Sequence, residues 1–523
     1  MTSIDNNVTR FALIAAFGGF VFGLDAANIS GAVRYVSALF SLDSMQVGTL
    51  VGAALFGVIV ALFLTGTLCD RFGRKNVLMG IAVTYALSSI ISSLAISYEM
   101  LVVGRFIGGV AFASITVSAM YIGEIAPADK RGRFVSVNQL MIAIGLLLAF
   151  IINYGLVKIM PNVEWLTNEN IWRFMLGAEL IANAVWIALL LRVPESPRWL
   201  LAKNKRQQAE RNLQYLVEPA EIPAFIDQIE ESLENHHQTD TKTQLKELFS
   251  KKMIWVLSIA ITYAVVQGAT GMNAVLFFAP MVFEQIGMSV EDTFMQTITI
   301  GVVGLLSTFV AIAFVEKLGR RSLTLFGLLL VVVAHSSIWF GFKQAHYVID
   351  DAAIAEIKIE VAKENIAPEK IDPLNGTQFN TDVEMKKHLA TVFSNGELPL
   401  VSGAVINASI QDVNVTAVLF GIFAFLAAFN MSIGPIMWVI FSEIFPNSVR
   451  SVALPFAALV QTVSSWSIQQ FFPWQLEQFG AANTFLNYGI IGLVGLVIMF
   501  FILPETKGKS IELLEKDLVK CKA

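Results

Sequence analysis

Asp70-Arg71-Phe72-Gly73-Arg74-Lys75 returns later in the chain, in outline, as Glu316-Lys317-Leu318-Gly319-Arg320-Arg321. Two more pairs follow in the same order. Glu124-Ile125-Ala126-Pro127, with Arg131 beyond it, is matched by Glu443-Ile444-Phe445-Pro446 with Arg450 beyond, and Pro194-Glu195-Ser196-Pro197 by Pro504-Glu505-Thr506-Lys507. Ordered repetition at a long period marks a chain built twice from one unit. Glu316 follows Asp70 by 246 residues, whereas Glu443 follows Glu124 by 319, so an insertion separates the repeats; a polar stretch at 343–412 supplies it.

Between these loops the chain is apolar. Of 523 residues 55% are hydrophobic and only 15% charged, with a mean hydropathy of +0.65. Crossing about 30 Å of hydrocarbon takes roughly 20 residues of helix. Twelve runs qualify, near 11–34, 47–68, 77–96, 101–122, 134–157, 171–192, 253–285, 294–315, 322–342, 415–441, 452–474 and 484–503; they are called spans 1 to 12. Without water every backbone group must bond within its own segment, and no period-2 alternation suggests a barrel. The expected fold is an all-α membrane protein, twelve transmembrane helices in two pseudo-symmetric six-helix bundles.

Lysine and arginine crowd the loops 70–75, 124–133 and 316–321 and are missing from 97–100, 286–293 and 475–483. By the positive-inside rule the first set is cytoplasmic, which places both termini in the cytoplasm and the chain in the inner or plasma membrane. The expected organisation is 1–192, an N-terminal six-helix bundle; 193–251, a cytoplasmic linker with short helices; 252–510, a C-terminal six-helix bundle carrying the external insertion 343–412 between spans 9 and 10; and 511–523, a cytoplasmic tail. The first ten residues lack a basic start and no small-residue cleavage site follows, so the first run is read as a span and not a cleaved signal. The net charge of −5 points away from nucleic acid. The two cysteines, Cys69 and Cys521, fall on the reducing side and do not suggest a disulfide framework. No cofactor is expected, and a monomer suffices.

In the linker, Ala209 to Leu216 and Ile222 to Leu233 are amphipathic. Its His236-His237 pair lacks acidic or thiol ligands at metal spacing and reads as solvated linker. The insertion carries eleven acidic residues against six lysines. Ile354, Ile357 and Val361 share one helical face that Pro368 ends, and Val383 to Phe393 fits a second helix. The stretch is either a small cap over the entrance or a solvated spacer. Its sequons at Asn375, Asn407 and Asn414 matter only in a host that glycosylates.

The paired loops resemble those of the major facilitator superfamily. Pro194-Glu195-Ser196-Pro197-Arg198-Trp199-Leu200, Gly104-Arg105 through Glu124 and Arg131, Gln267 through Gly271-Met272-Asn273, and Pro504-Glu505-Thr506-Lys507-Gly508 together resemble its sugar porter family, over about 11–340 and 413–510. The likeness is strongest to bacterial proton-coupled pentose and hexose symporters. It implies a monosaccharide and a proton as cargo, carried by alternating access. A facilitative uniporter differs only in coupling, and a non-transporting sugar receptor on the same fold would usually need a longer signalling tail. An enzyme is not expected, since the five histidines, His335 among them, form no catalytic constellation; His335 reads as a buried hydrogen-bonding residue.

Three sets of residues follow. Asp25, Arg105 and Glu179 are ionisable residues inside apolar runs, a placement that is costly and functional by default. Two carboxylates around one guanidinium sum to −1, and one proton neutralises the cluster. The resemblance implies that Asp25 takes up the proton with Arg105 as partner; a static ion pair is the plainer reading, above all for Glu179. For the sugar, the resemblance implies Gln139, Gln267, Asn273, Trp438 and Gln461, with Phe277 as aromatic wall. Amides suit hydroxyls and aromatic faces suit C–H faces of the ring, although buried amides can equally just cross-link helices. Gln267 and Asn273 are about 120° from facing the same way on an ideal helix, so Gly268 and Gly271 are expected to loosen the turn. Gly434-Pro435 is expected to break span 10 before Trp438. Gly268, Gly304, Leu146, Phe277 and Thr462 depart from the family's usual Gln, Asn, Gln, Tyr and Trp, which predicts a pocket with less polar reach, more room and a larger or more deoxygenated sugar. Finally, Asp70, Arg71, Arg74, Glu124, Arg131, Glu195, Arg198, Glu316, Arg320, Glu443 and Arg450 form a cytoplasmic gate whose groups can pair across the halves, or simply anchor the loops.

Overall fold

The computed structural model describes residues 3–126, 131–234, 241–363, 366–394, 396–446, 448–509, 513–515 and 518. Among these, eleven helices are long and apolar enough to cross a membrane. The last, Arg450–Ile502, turns at Gly480, whose φ of 75° and ψ of 169° are not helical, and so contains two crossings. Twelve spans result, each overlapping a run read from the sequence.

Each half packs six helices, and a polar seam on one face divides them in sequence. There, helices Pro197–Ala202, Arg206–Leu213, Ile222–Glu234 and Thr241–Leu248 follow span 6. Trp199, Leu200, Leu213 and Ile226 bury a small core among them. The pair His236-His237 lies outside the described residues. This face is called the linker side below.

The opposite face carries the insertion, which folds as a unit. Strands β1 (His346–Ile349), β2 (Thr377–Phe379) and β3 (Ile410–Gln411) make an antiparallel sheet in the order β2-β1-β3, with Tyr347 opposite Phe379 and Ile410. Helix Asp351–Lys363 buries Ile354, Ile357 and Val361 against it. Asp382–Val392 forms the second helix. The sheet and a third helix, Leu398–Ser409, were not legible in the sequence; the strands are two to four residues long and pair across 28 to 65 positions, beyond the reach of local patterning. The unit sits on both halves. Arg34 of span 1 donates to the Leu400 carbonyl at 3.1 Å, Lys386 donates to Gln285 at the end of span 7 at 2.6 Å, and Asp382 accepts from the Ala481 amide at 3.3 Å.

The halves meet closely near the insertion side. Gln469 of span 11 donates to the Val51 carbonyl of span 2 at 2.8 Å, and Gln470 donates to Thr49 at 2.9 Å. A Cβ at Gly48 would lie 1.8 Å from the Gln470 carbonyl oxygen; only a glycine lets these two backbones touch.

Span 10 differs from expectation in detail. It divides into Val415–Met431 and Ile433–Ile444, with the irregular residue at Ser432 (φ −134°, ψ −93°) and not at Gly434-Pro435. The proline acts one turn back: it cannot donate to the carbonyl of residue 431, and its ring crowds that carbonyl, so the helix opens there.

Candidate functional site

Span 1 carries Asp25 into the first half's core, where it is 3% exposed, with Arg105 and Glu179 each 1% exposed. Arg105 donates through Nη1 to Asp25 Oδ1 at 2.6 Å. Glu179 lies in range of Asp25, Arg105 and Ser89, and neither of its oxygens is in hydrogen-bond geometry with another group among the described residues. Arg105 Nε and Nη2 and Asp25 Oδ2 are likewise unengaged there. The pair therefore uses one of several possible bonds, and one guanidinium shares the cluster with two carboxylates. Removing one partner of a buried pair costs about 3–5 kcal/mol because the other charge is left unpaired. A proton removes that cost, so the arrangement can exchange the Arg105 bond for a protonated carboxyl.

The second half presents amides instead. Span 7 stops at Ala269 and restarts at Met272, with Gly271 left-handed at φ 91°. The break lies between Gln267 and Asn273, at one of the two glycines read from the sequence. Gln461 of span 11 donates to Gln267 Oε1 and to Ser465 Oγ, each at 2.9 Å. Asn273 is half-buried, Gln139 on span 5 is exposed, and Trp438 is 47% exposed and edge-on to Phe441. Phe277 is buried in the packed core. The expected gain of room is corrected in part. A Cβ at Gly268 would lie 2.8 Å from Ser464 Cβ and 2.9 Å from the Gln461 carbonyl oxygen, so span 11 fills that space; a Cβ at Gly304 would meet only Asn430 Nδ2 at 3.8 Å, and room exists there.

At the linker side the repeated loops form matching locks. Glu195 accepts from the Arg74 and Lys75 amides at 2.9 and 3.1 Å, and Glu505 accepts from the Arg320 and Arg321 amides at 3.0 and 3.1 Å. Each carboxylate caps the start of the following helix from 120 or more residues away, where unpaired amides and the helix dipole favour negative charge. Arg74 pairs with Glu124 at 2.9 Å and Asp70 at 3.7 Å, and Arg320 pairs with Glu443 at 3.0 Å. These pairs lie within one half each, where the sequence allows pairing across the halves or anchoring of the loops. Arg71 stacks on Phe72, and Arg450 donates to the Phe445 carbonyl at 2.9 Å. Arg198 also has a partner. The side chains of Arg131 and Glu316 lie outside the described residues.

One charged pair escaped the sequence reading. Arg34, the last residue of the first apolar run, donates to Glu284, next to last in the seventh, at 2.7 Å with both nearly buried. Both are lone charges at the same end of their spans, which was the available signal.

Two like six-helix halves in a membrane, one with a buried ion cluster and the other with facing amides, define a transporter of solutes. The chain belongs to the sugar (and other) transporter family, whose model matches residues 11–356 and 391–518. It is 29% identical to the arabinose-proton symporter of Bacillus subtilis, over 98% of this chain and 95% of that protein. It is 30% identical to the D-xylose-proton symporter of Escherichia coli K12, over 97% and 95%. Among solved structures it is similar to the inward-open xylose transporter of E. coli, with a TM-score of 0.73 and 27% identity over 98% of this chain and all of that one, and to the same symporter bound to 6-bromo-6-deoxy-D-glucose, with a TM-score of 0.69.

Proposed function

We propose that the chain imports a monosaccharide, a pentose or hexose, together with a proton by alternating access. The observation that carries this reading is the buried Arg105–Asp25 bond with Glu179 beside it, in a chain whose relatives are named as proton symporters of arabinose and xylose. Asp25 is the proton carrier, Arg105 its exchangeable partner and Glu179 the tuning carboxylate. Gln139, Gln267, Asn273, Trp438 and Gln461 bind the sugar, and Phe277 backs the pocket. The linker side faces the cytoplasm with both termini, in keeping with its lysines and arginines, and the insertion lies outside as a cap. The bundles comprise 1–192 and 252–510, joined by the linker 193–251, and the protein works as a monomer in the bilayer.

On this reading the structure represents the state closed outside. Span 2 touches span 11 there, Arg34 holds Glu284, and the gate pairs at the linker side are satisfied within each half. In the alternate state those linker-side groups exchange partners across the halves, and pairs lost on one side of the exchange are offset by pairs gained on the other, which leaves the two states close in free energy.

The test is uptake in de-energised cells in weakly buffered medium. Addition of D-xylose, L-arabinose or D-glucose is expected to alkalinise the medium for the sugar that is carried, and the same sugar is expected to exchange by counterflow in proteoliposomes. Counterflow without alkalinisation would replace symport with facilitated transport; neither signal with any monosaccharide would remove the sugar reading.

A further inference from the structure

His335, in the middle of span 9, belongs to neither the ion cluster nor the amide set. It is fully buried. Its Nε2 lies 3.0 Å from the carbonyl oxygen of Thr270, the last residue before left-handed Gly271 at the break in span 7. In an unbroken helix that carbonyl would accept from the amide four residues on. Here the helical pattern resumes one residue later, with the Val275 amide donating to the Gly271 carbonyl at 3.0 Å. The Thr270 carbonyl is thereby left to a side chain from another helix. Since a carbonyl can only accept, Nε2 is the nitrogen that carries a hydrogen in this bond.

The imidazole is itself fixed. Its centroid lies 4.4 Å from that of Phe425, and Phe485 and Tyr488 of span 12 stand at 6.1 and 6.0 Å. Tyr488 closes the other side of the break: a Cβ at Gly271 would come within 2.6 Å of its ring, and its hydroxyl is held by Gln475 Oε1 at 2.7 Å. Thr270 Oγ1 donates back to the Gln267 carbonyl at 3.1 Å. Gln267 and Asn273 lie three residues to either side of Thr270, so the angle at this break decides how the two amides face each other.

We propose that His335 is the pin of the span 7 break, a positioning residue that holds the Thr270 carbonyl and so fixes Gln267 relative to Asn273 without touching substrate. The proposal rests on the sugar-binding reading of those two amides for its functional consequence, but its structural core does not.

Two measurements separate the parts. Hydrogen exchange of the 270–277 backbone in the full-length protein is expected to rise at least about tenfold in His335→Leu, which has no donor, and to stay within about twofold of wild type in His335→Gln, whose amide can still donate. In counterflow with the sugar that the wild type exchanges, His335→Leu is expected to raise KM about tenfold with maximal rate within about twofold, and His335→Gln to restore KM. Equal exchange and equal KM in both variants overturn the proposal. Altered exchange with unchanged KM leaves the pin and removes Gln267 and Asn273 from the binding set. If His335→Leu does not fold, nitrogen NMR of the histidine-labelled wild type decides, with His335→Gln assigning the signal: a hydrogen on Nε2 is expected, and one on Nδ1 overturns the proposal.

Discussion

The two halves repeat each other at the linker side and part company in the middle of the membrane. Glu195 and Glu505 cap equivalent helices, and Arg74–Glu124 and Arg320–Glu443 are equivalent pairs. At mid-depth the first half holds Asp25, Arg105 and Glu179, whereas the second holds Gln267, Asn273 and Gln461. Symmetry persists where rocking needs matched locks on two rigid bodies. It is lost where, on the proposed reading, the first half handles the proton and the second supplies most of the amides that read hydroxyls. On that reading, an ion beside the amides would be desolvated each time the cavity closed.

Separating the two functions by mutation tests that division, starting with the largest effect. Asp25→Asn cannot carry a proton, so accumulation at a membrane potential of 100 mV, worth about 2.3 kcal/mol per charge, should fall by about 50-fold to equilibration. Counterflow should persist, because the amides are untouched. Gln267→Ala should do the reverse, raising KM about tenfold while the proton-to-sugar ratio stays unchanged; a buried sugar hydroxyl that loses its amide partner is the larger part of that cost. If Asp25→Asn still accumulates sugar, or Gln267→Ala uncouples, the division between halves is wrong. The contact that ties the halves together should act on state populations instead. Arg34→Gln and Glu284→Gln should each increase labelling of a single cysteine introduced into the insertion-side vestibule roughly fivefold, and the double variant should do no more than either alone, since coupled neighbours are not additive. Additive effects would mean that the pair does not act as one contact.

The elements legible in the sequence were those set by local or repeated pattern. Twelve spans follow from hydropathy, and the six loop motifs follow from repetition. Asp25 and Arg105 stood out because a charge within an apolar run has few explanations, and the structure brings them to 2.6 Å. What could not be read depends on how helices pack. Gly268 looked like lost polar reach with added room, yet its missing side chain admits the backbone of span 11. Arg34 and Glu284, 250 positions apart, looked like ordinary span ends. The break in span 10 falls at Ser432 because a proline frees the carbonyl a turn before it, an effect displaced from the residue that causes it. The partners of the gate groups could not be read either: Arg74 takes Glu124 and Arg320 takes Glu443, each within its own half, because pairing belongs to a conformation and sequence describes all conformations at once.

The smallest expected effect probes the symmetry itself. Glu195 and Glu505 make matching bonds to the helix amides and to the next residue's amide, but Glu505 also accepts from the Lys507 amide, where the other loop has Pro197 and no N–H; burial pushes Glu195 above the ordinary carboxyl value of 4.5. Burial acts on Glu505 in the same direction, but the amides of Lys507, Arg320, Arg321 and Thr506 outweigh it and hold this carboxyl below 4.5. The signs of the stability effects are therefore opposite. Glu195 binds its proton more readily in the folded state, so its contribution grows as pH falls from neutrality toward 4.5. Glu505 releases its proton more readily when folded, so its contribution is complete above 4.5 and is lost as pH falls below it. Glutamine removes either titration. The unfolding free energy of the wild type relative to Glu195→Gln should rise on acidification from pH 7 to 5, and relative to Glu505→Gln should fall below pH 4.5, each with a slope no steeper than about 1.4 kcal/mol per pH unit. Slopes of the same sign would mean that the two caps sit in equivalent surroundings and that the halves are symmetric at this surface in energy as well as in geometry.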